Sequence, residues 1–299
     1  MTALLPPKAR AASPAPSKRP RRAAGRHGSG LSRLGVQALL WVYAALAFGP
    51  LVLVLIGSFR PNADILREPV GLPDSLNFDN YARAWETASL STYFVNSLTI
   101  TVASVALCVT VSAMAAYALS RWRFRGRALL AALFISGLMI PAKLGLLPVF
   151  YMFQSWGLID NRIGLVLLYA ASGIPFSVFV IMGFMRGMPD ELEEAARLDG
   201  CDEGRMFVSV VLPVMRPALA VATVFQFAPT WNDFFYPLVL MRSDDKYTVP
   251  VGLTRFFGEY AADRATLFAG LVIALVPLAV VFALATKHII SGLTAGMSK

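Results

Sequence analysis

The chain has 299 residues, of which 57% are hydrophobic and only 15% charged. A soluble domain carries about a quarter of its residues as charges, so these proportions exclude one and place the chain in a membrane. The net charge of +9 does not argue for nucleic acid, because eight of the 27 Lys and Arg precede the first apolar run with no acid among them. Beside a span, such charge is explained by orientation and anionic lipid.

Residues 1–30 are largely Pro, Ala, Ser, Gly and Arg. They hold too little apolar surface to fold and read as a disordered basic cytoplasmic arm. The apolar run 35–56 follows. Ala45-Leu46-Ala47 imitates a signal-cleavage triplet, and Arg21-Arg22 a twin-arginine signal. Yet the run continues well past the triplet and is too long for a secretory core, so it is the first transmembrane helix. Five more runs are expected to span: 94–119, 128–150, 163–185, 207–240 and 267–286. Each is near the roughly 20 residues that cross a bilayer core at about 1.5 Å per residue. Pro213, Pro217, Pro229 and Pro237 predict that the fifth is not one straight helix. The expected fold is an all-α integral membrane protein of six transmembrane helices, residues 31–299, behind the arm.

Orientation follows from the basic residues. With the N-terminus inside, 18 of the 27 Lys and Arg fall on inner segments. The short loop carrying Arg121, Arg123, Arg125 and Arg127 is the most concentrated signal outside the arm. Both termini are therefore expected in the cytoplasm. The outer segments 59–92 and 242–264 read either as loops anchored at the interface by Trp85, Tyr247 and Tyr260, or as a docking surface for an external protein.

The stretch 187–217 is a charged island between two apolar runs. Pro189 suits a first helical position, and Asp190, Glu191, Glu193 and Glu194 crowd the first turn, where the helix dipole favours acids. Gly200 offers a left-handed stop, and Asp202 a cap for a second helix at Glu203. At 100° per residue Leu192, Ala195, Ala196 and Asp199 share one face, and Glu193 and Arg197 make an i,i+4 pair on the other. A flat, small-residue face flanked by charge lets another protein approach closely. The plainer reading is a solvated helix between two spans.

Catalytic chemistry is missing. No G-x-x-x-x-G-K-S/T loop occurs, so no phosphate cradle of that kind is present. The two histidines, His27 and His288, lie in the arm and the tail, which leaves His-based catalysis and zinc sites without candidates. Cys108 lies in an apolar run and Cys201 in the island, so no bridge is expected, and no metal-ligand spacing occurs. Asp233 is the one acid inside an apolar run. It is either a functional group at membrane depth or an interfacial helix end.

Glu194-Ala195-Ala196, then Asp199-Gly200, then Leu212-Pro213 with Pro217 beyond resembles the EAA loop of the permease subunits of binding-protein-dependent ABC importers. The resemblance implies a cytoplasmic coupling helix between helices 4 and 5 that docks on an ATPase. Glu194 would pair with a basic residue of that subunit, Ala195 and Ala196 would lie against it, and Gly200 would make the turn. Asn80-Tyr81, Tyr93-Phe94 with Asn96-Ser97, Trp231-Asn232-Asp233-Phe234 and Thr248-Val249-Pro250-Val251-Gly252-Leu253 are similar to the carbohydrate branch, in particular to the shorter permease of the maltose importer. The tail Gly292, Leu293, Thr294, Ala295 and Gly296 matches it too, which implies a second contact with the ATPase dimer.

The implied assembly is a sugar or oligosaccharide importer in the bacterial inner membrane. Its parts are this chain, a second permease subunit, an ATPase homodimer binding ATP and magnesium, and an extracytoplasmic solute-binding protein. Trp231, Asn232, Asp233 and Tyr236 are candidates for the substrate pathway or for interface packing. An ion-coupled secondary transporter using Asp233, and a non-transporting membrane scaffold, are the competing readings.

Overall fold

The structure is a computed structural model that describes residues 30–87, 89–257 and 263–297. The basic arm expected over 1–30 therefore lies, up to residue 29, outside the described residues, as does Tyr260. The chain divides into two units, residues 1–49 and 50–299. In the first, the described part is helical and makes up most of α1 (Gly30–Gly57), an apolar helix with Pro50 inside it.

The second unit is also helical, and no strand occurs among the described residues. After α2 (Asn62–Arg67), a helical turn at Asp79–Ala82 continues as a π turn over Arg83–Thr87. The long helix α3 (Leu90–Arg121) follows, then α4 (Arg127–Gly137) and α5 (Leu146–Ser155). Next come α6 (Arg162–Met185), the short α7 (Glu191–Leu198), α8 (Glu203–Val214) and α9 (Arg216–Trp231). The chain ends with α10 (Phe235–Leu240) and α11 (Arg264–Met297).

Among the described residues four helices, α1, α3, α6 and α11, are long and apolar enough to cross a membrane, and α8 with α9 adds a fifth span if the pair counts as one despite its 75° bend. The bend agrees with the prolines: Pro213 and Pro217 have no N–H for the helical ladder, and a π turn at Phe207–Val211 already loosens it. The run 128–150 is different from the expectation. It is two short helices, α4 and α5, separated by a break and a 3-10 turn at Ala142–Gly145. With 11 residues, α4 rises about 17 Å, roughly half a bilayer core. Pro141 agrees with the stop, since it has no N–H to give to the Gly137 carbonyl four residues before it and its ring would crowd that carbonyl.

Helices α3 and α6 form the central pair. Small side chains on α3, among them Ser104, Cys108, Ser112 and Ala116, are buried, and Cys108 Sγ lies 3.5 Å from Ser177 Oγ of α6. Without a strong hydrophobic drive between helices in lipid, such close approach is how membrane helices gain contact. The two run in the same direction. Near their starts, Asn96 and Arg162 both donate to the Asp245 carbonyl, at 2.8 and 3.1 Å; at their ends, Arg121 donates to Met188 O at 3.1 Å. A core of Tyr117, Ile181, Met185, Met188, Met206 and Met215 fills the second end.

Candidate functional site

The charged island sits where α3 and α6 terminate. The helix expected from Pro189 begins at Glu191, with Asp190 before it making no side-chain cap. Gly200 stops the turn at φ +80°, the left-handed conformation that favours glycine. Its N–H donates to Arg197 O and that of Cys201 to Ala196 O, which closes the C-terminal carbonyls of α7. Asp202 then caps α8 by accepting from the Arg205 N–H at 2.7 Å.

The expected Glu193–Arg197 pair does not form. Glu193 turns inward instead and accepts from Arg121 Nε at 2.6 Å, with the two side chains 7% and 13% exposed. Arg121 also reaches Asp190 at 2.6 Å. Arg197 pairs with Glu203 at 3.1 Å, and Glu203 accepts from the Tyr117 hydroxyl at 2.9 Å. Tertiary partners thus replace the i,i+4 contact, because Glu193 lies on the face of α7 that meets α3. The single small-residue face is also divided. Ala196 is buried against the methionine core, whereas Leu192, Glu194, Ala195 and Asp199 stay exposed. Leu198, unremarked in the sequence, is 90% exposed. A cleft of about 250 Å³ lies beside α7, lined among others by Ser120, Arg123, Arg127, Asp190 and Glu194. Leu212 packs partly on the core, and Pro213 is exposed.

The second predicted group occupies the break between α9 and α10. Trp231 is buried, stacked on Phe227 at 5.9 Å, and donates Nε1–H to Ala274 O at 3.0 Å. Asn232 is exposed and donates to Ala228 O at 3.0 Å. Asp233 accepts from the Tyr169 hydroxyl at 2.8 Å and from the Tyr236 N–H at 3.2 Å, and Lys143 lies 4.0 Å away. Tyr236 is buried, its ring edge-on to Tyr169. Asp233 therefore braces the turn that follows the end of α9 and leads into α10. The sequence reading missed Lys143 and Tyr169, which meet Asp233 only through the fold.

At the opposite end, the remaining motif residues hold loops. Buried Asn80 donates to the carbonyls of Ser58 and Arg60, at 2.8 and 2.9 Å. Ser97 Oγ accepts from the Val249 N–H at 2.8 Å, and Tyr93 donates its hydroxyl to Asp244 at 2.8 Å. Gly252 is required there, because a Cβ would lie 2.0 Å from the Tyr93 ring. Asp160, at φ +56°, accepts from the N–H groups of Arg242 and Ser243 and from Lys246 Nζ at 2.8 Å. These charge-assisted bonds, led by that from Lys246, hold its carboxyl well below the usual carboxylate range. The tail residues Gly292 to Gly296 fall on the last turns of α11, and their side chains lie outside the described residues. Among the described residues no group of three or more His, Cys, Asp or Glu is placed to hold a metal.

The chain is 35% identical over 261 residues to the diacetylchitobiose uptake system permease protein NgcG of Streptomyces coelicolor, covering 87% of this chain and 86% of that one. It is also 35% identical to an arabinooligosaccharides transport system permease protein, AraQ, of Halalkalibacterium halodurans, covering 85% and 91%. Among solved structures, a chain of a bacterial ABC transporter that imports the acidic polysaccharide alginate matches with a TM-score of 0.78 at 25% identity, covering 87% of this chain and 96% of that one. The family of binding-protein-dependent transport system inner membrane components matches residues 84–294. That match takes in the charged island, the α9–α10 break and the 244–252 loop at the far end, and the chain belongs to this family.

Proposed function

We propose that this chain is the transmembrane permease subunit of an ATP-driven importer for a sugar or oligosaccharide, and that α7 is its cytoplasmic coupling helix. The observation that carries the reading is the outward face of α7. Glu194, Ala195 and Asp199 are exposed around a Leu198 that is 90% exposed, while the rest of α7 is anchored inward through Glu193 and Ala196. An apolar side chain ringed by acid, on an element fixed at the end of a bundle, suits a basic-rimmed hollow on another protein. The names of the relatives, a diacetylchitobiose and an arabinooligosaccharide permease, support a carbohydrate cargo.

In this reading ATP and magnesium bind on a separate ATPase pair, and this chain is not itself an enzyme. Closure of the ATPases displaces α7, and the spans exchange outward for inward access because the ATPase contacts differ between the two states. A second permease subunit completes the pathway. A solute-binding protein meets the end built by Asn80, Asp160 and Asp244. Both termini, the Arg121–Arg127 loop and α7 lie on the inner side, as the distribution of Lys and Arg favours.

The test is Glu194→Lys in the full complex. Sugar uptake should fall at least tenfold while the subunit still inserts. A cysteine at 194 should react with an impermeant maleimide added to inverted vesicles, whose medium bathes the cytoplasmic face, and not when the reagent is added to intact cells. Labelling in intact cells, or normal uptake by well-expressed Glu194→Lys, overturns the reading.

A further inference from the structure

We infer that Arg121 is the positioning residue that makes α3 and α7 move as one body, so that displacement of α7 reaches the far end of the molecule through α3. The inference rests on α7 being the coupling helix. Arg121 is the last residue of α3, and its guanidinium uses three nitrogens on three acceptors of one short segment. Nε bonds Glu193 and Nη1 bonds Asp190, both at 2.6 Å, and Nη2 bonds Met188 O at 3.1 Å. A planar fork with three fixed acceptors sets the angle of α7 as well as its distance. The Arg121–Glu193 pair is almost wholly withdrawn from water, where removal of either partner strands a buried charge.

Chain connectivity makes this link matter. To α6 and α8, α7 is joined in the chain by turns, Arg186 to Asp190 on one side and Asp199 to Asp202 on the other, with Gly200 left-handed, and to α8 also by the Arg197–Glu203 pair. To α3 it has no covalent connection nearby, since Arg121 and Asp190 are 69 positions apart in the sequence. Side-chain contacts must carry the coupling. A second staple lies one turn back, where Tyr117 bonds Glu203 and Glu203 bonds Arg197 of α7. From Arg121, α3 runs back about 42 Å to Tyr93, with Asn96 and Ser97 a turn nearer, and these hold the 244–249 loop. The helix thus spans the distance between the nucleotide-driven end and the opposite mouth.

The experiment places spin labels at Glu191→Cys on α7 and Val95→Cys near the start of α3, with Cys201→Ser, in the full complex. Distances are read by pulsed electron resonance without nucleotide and with ATP plus vanadate. With Arg121 present the distance should stay the same in both states. In Arg121→Gln it should shift, or its distribution broaden roughly twofold, on adding ATP plus vanadate. ATP hydrolysis should persist, and Arg121→Glu with Glu193→Arg should restore the single distance. Should Arg121→Gln fail to assemble, Arg121→Lys, which keeps the charge and loses the fork, carries the same measurement. An unchanged distribution in the variant overturns the inference, as does a nucleotide-driven change with Arg121 intact. Cross-linking of Glu194→Cys to the ATPase separates the two claims. If it forms while Arg121→Gln behaves as the parent, only the role of Arg121 falls. If it never forms, the coupling-helix reading falls with it.

Discussion

Gly173 of α6 and Gln226 of α9 share one volume: a Cβ on Gly173 would lie 2.0 Å from Gln226 Oε1. Gln226 is buried and donates Nε2–H to Tyr169 O at 2.8 Å. A methyl group at 173 must expel that amide from its hydrogen bonds. Gly173→Ala should therefore cost about 1–3 kcal/mol, as overpacking does. Gly173→Ala with Gln226→Ala should cost less than the sum of the singles, because the clash disappears. Thermal unfolding of the purified complex, followed by tryptophan fluorescence, checks the cycle; strict additivity would refute the shared volume.

At the stop of α7, Gly200 holds φ +80°. A β-branched residue is the least tolerant of that conformation, at about 1–2 kcal/mol or more. Gly200→Val should leave insertion intact and reduce transport per ATP hydrolysed. Gly200→Asn should be milder, since Asn visits the left-handed region. Equal transport by the two variants would remove the turn from the coupling argument.

Asp160 gives a pH dependence with a definite sign. Its carboxyl is depressed by Lys246 first, then by Ser243 and the backbone N–H of Arg242. A depressed acid contributes stability that is full above its unfolded value of about 4 and is lost as pH falls through the folded value. Melting temperatures of the parent and of Asp160→Asn should differ by a constant amount between roughly pH 5 and 7, and converge as pH drops below about 4. A gap that widens in acid contradicts the assignment.

Asp233 separates an ATP-driven importer from an ion-coupled carrier. Its Oδ2 accepts from the Tyr169 hydroxyl and the Tyr236 N–H, so it braces the break between α9 and α10. Asp233→Asn should lower stability by about 1–3 kcal/mol through weakened charge-assisted bonds. Uptake in the variant should remain ATP-dependent and insensitive to a protonophore. Loss of protonophore-sensitive uptake would instead favour the carrier.

Periodicity and punctuation made much of this legible. Gly200 and Asp202 are read from local chemistry alone, since a left-handed stop and an N-cap depend on the residue itself and its near neighbours. Glu193 was misassigned because its partner, Arg121, stands 72 positions away. In the sequence Arg121 is only one of four arginines in a short loop, and nothing there marks which one folds inward. Lys143 was hidden for a similar reason. It lies in a run that looked continuous, and the break that brings it to Asp233 comes from Pro141 acting together with the packing of α4 on α6. A Cβ at Gly137 would come within 3.0 Å of Pro175.

The 75° corner between α8 and α9 is hydrogen-bonded rather than open, with Met215 N–H on Val211 O at 2.9 Å and Leu219 N–H on Met215 O at 3.0 Å. A corner held shut in this way behaves as a crank. With α8 about 18 Å long, a tilt of roughly 10° at its base carries the elbow sideways by about 3 Å. A tilt of that size would carry the start of α9 sideways with the elbow, and no helix would have to slide along its own axis.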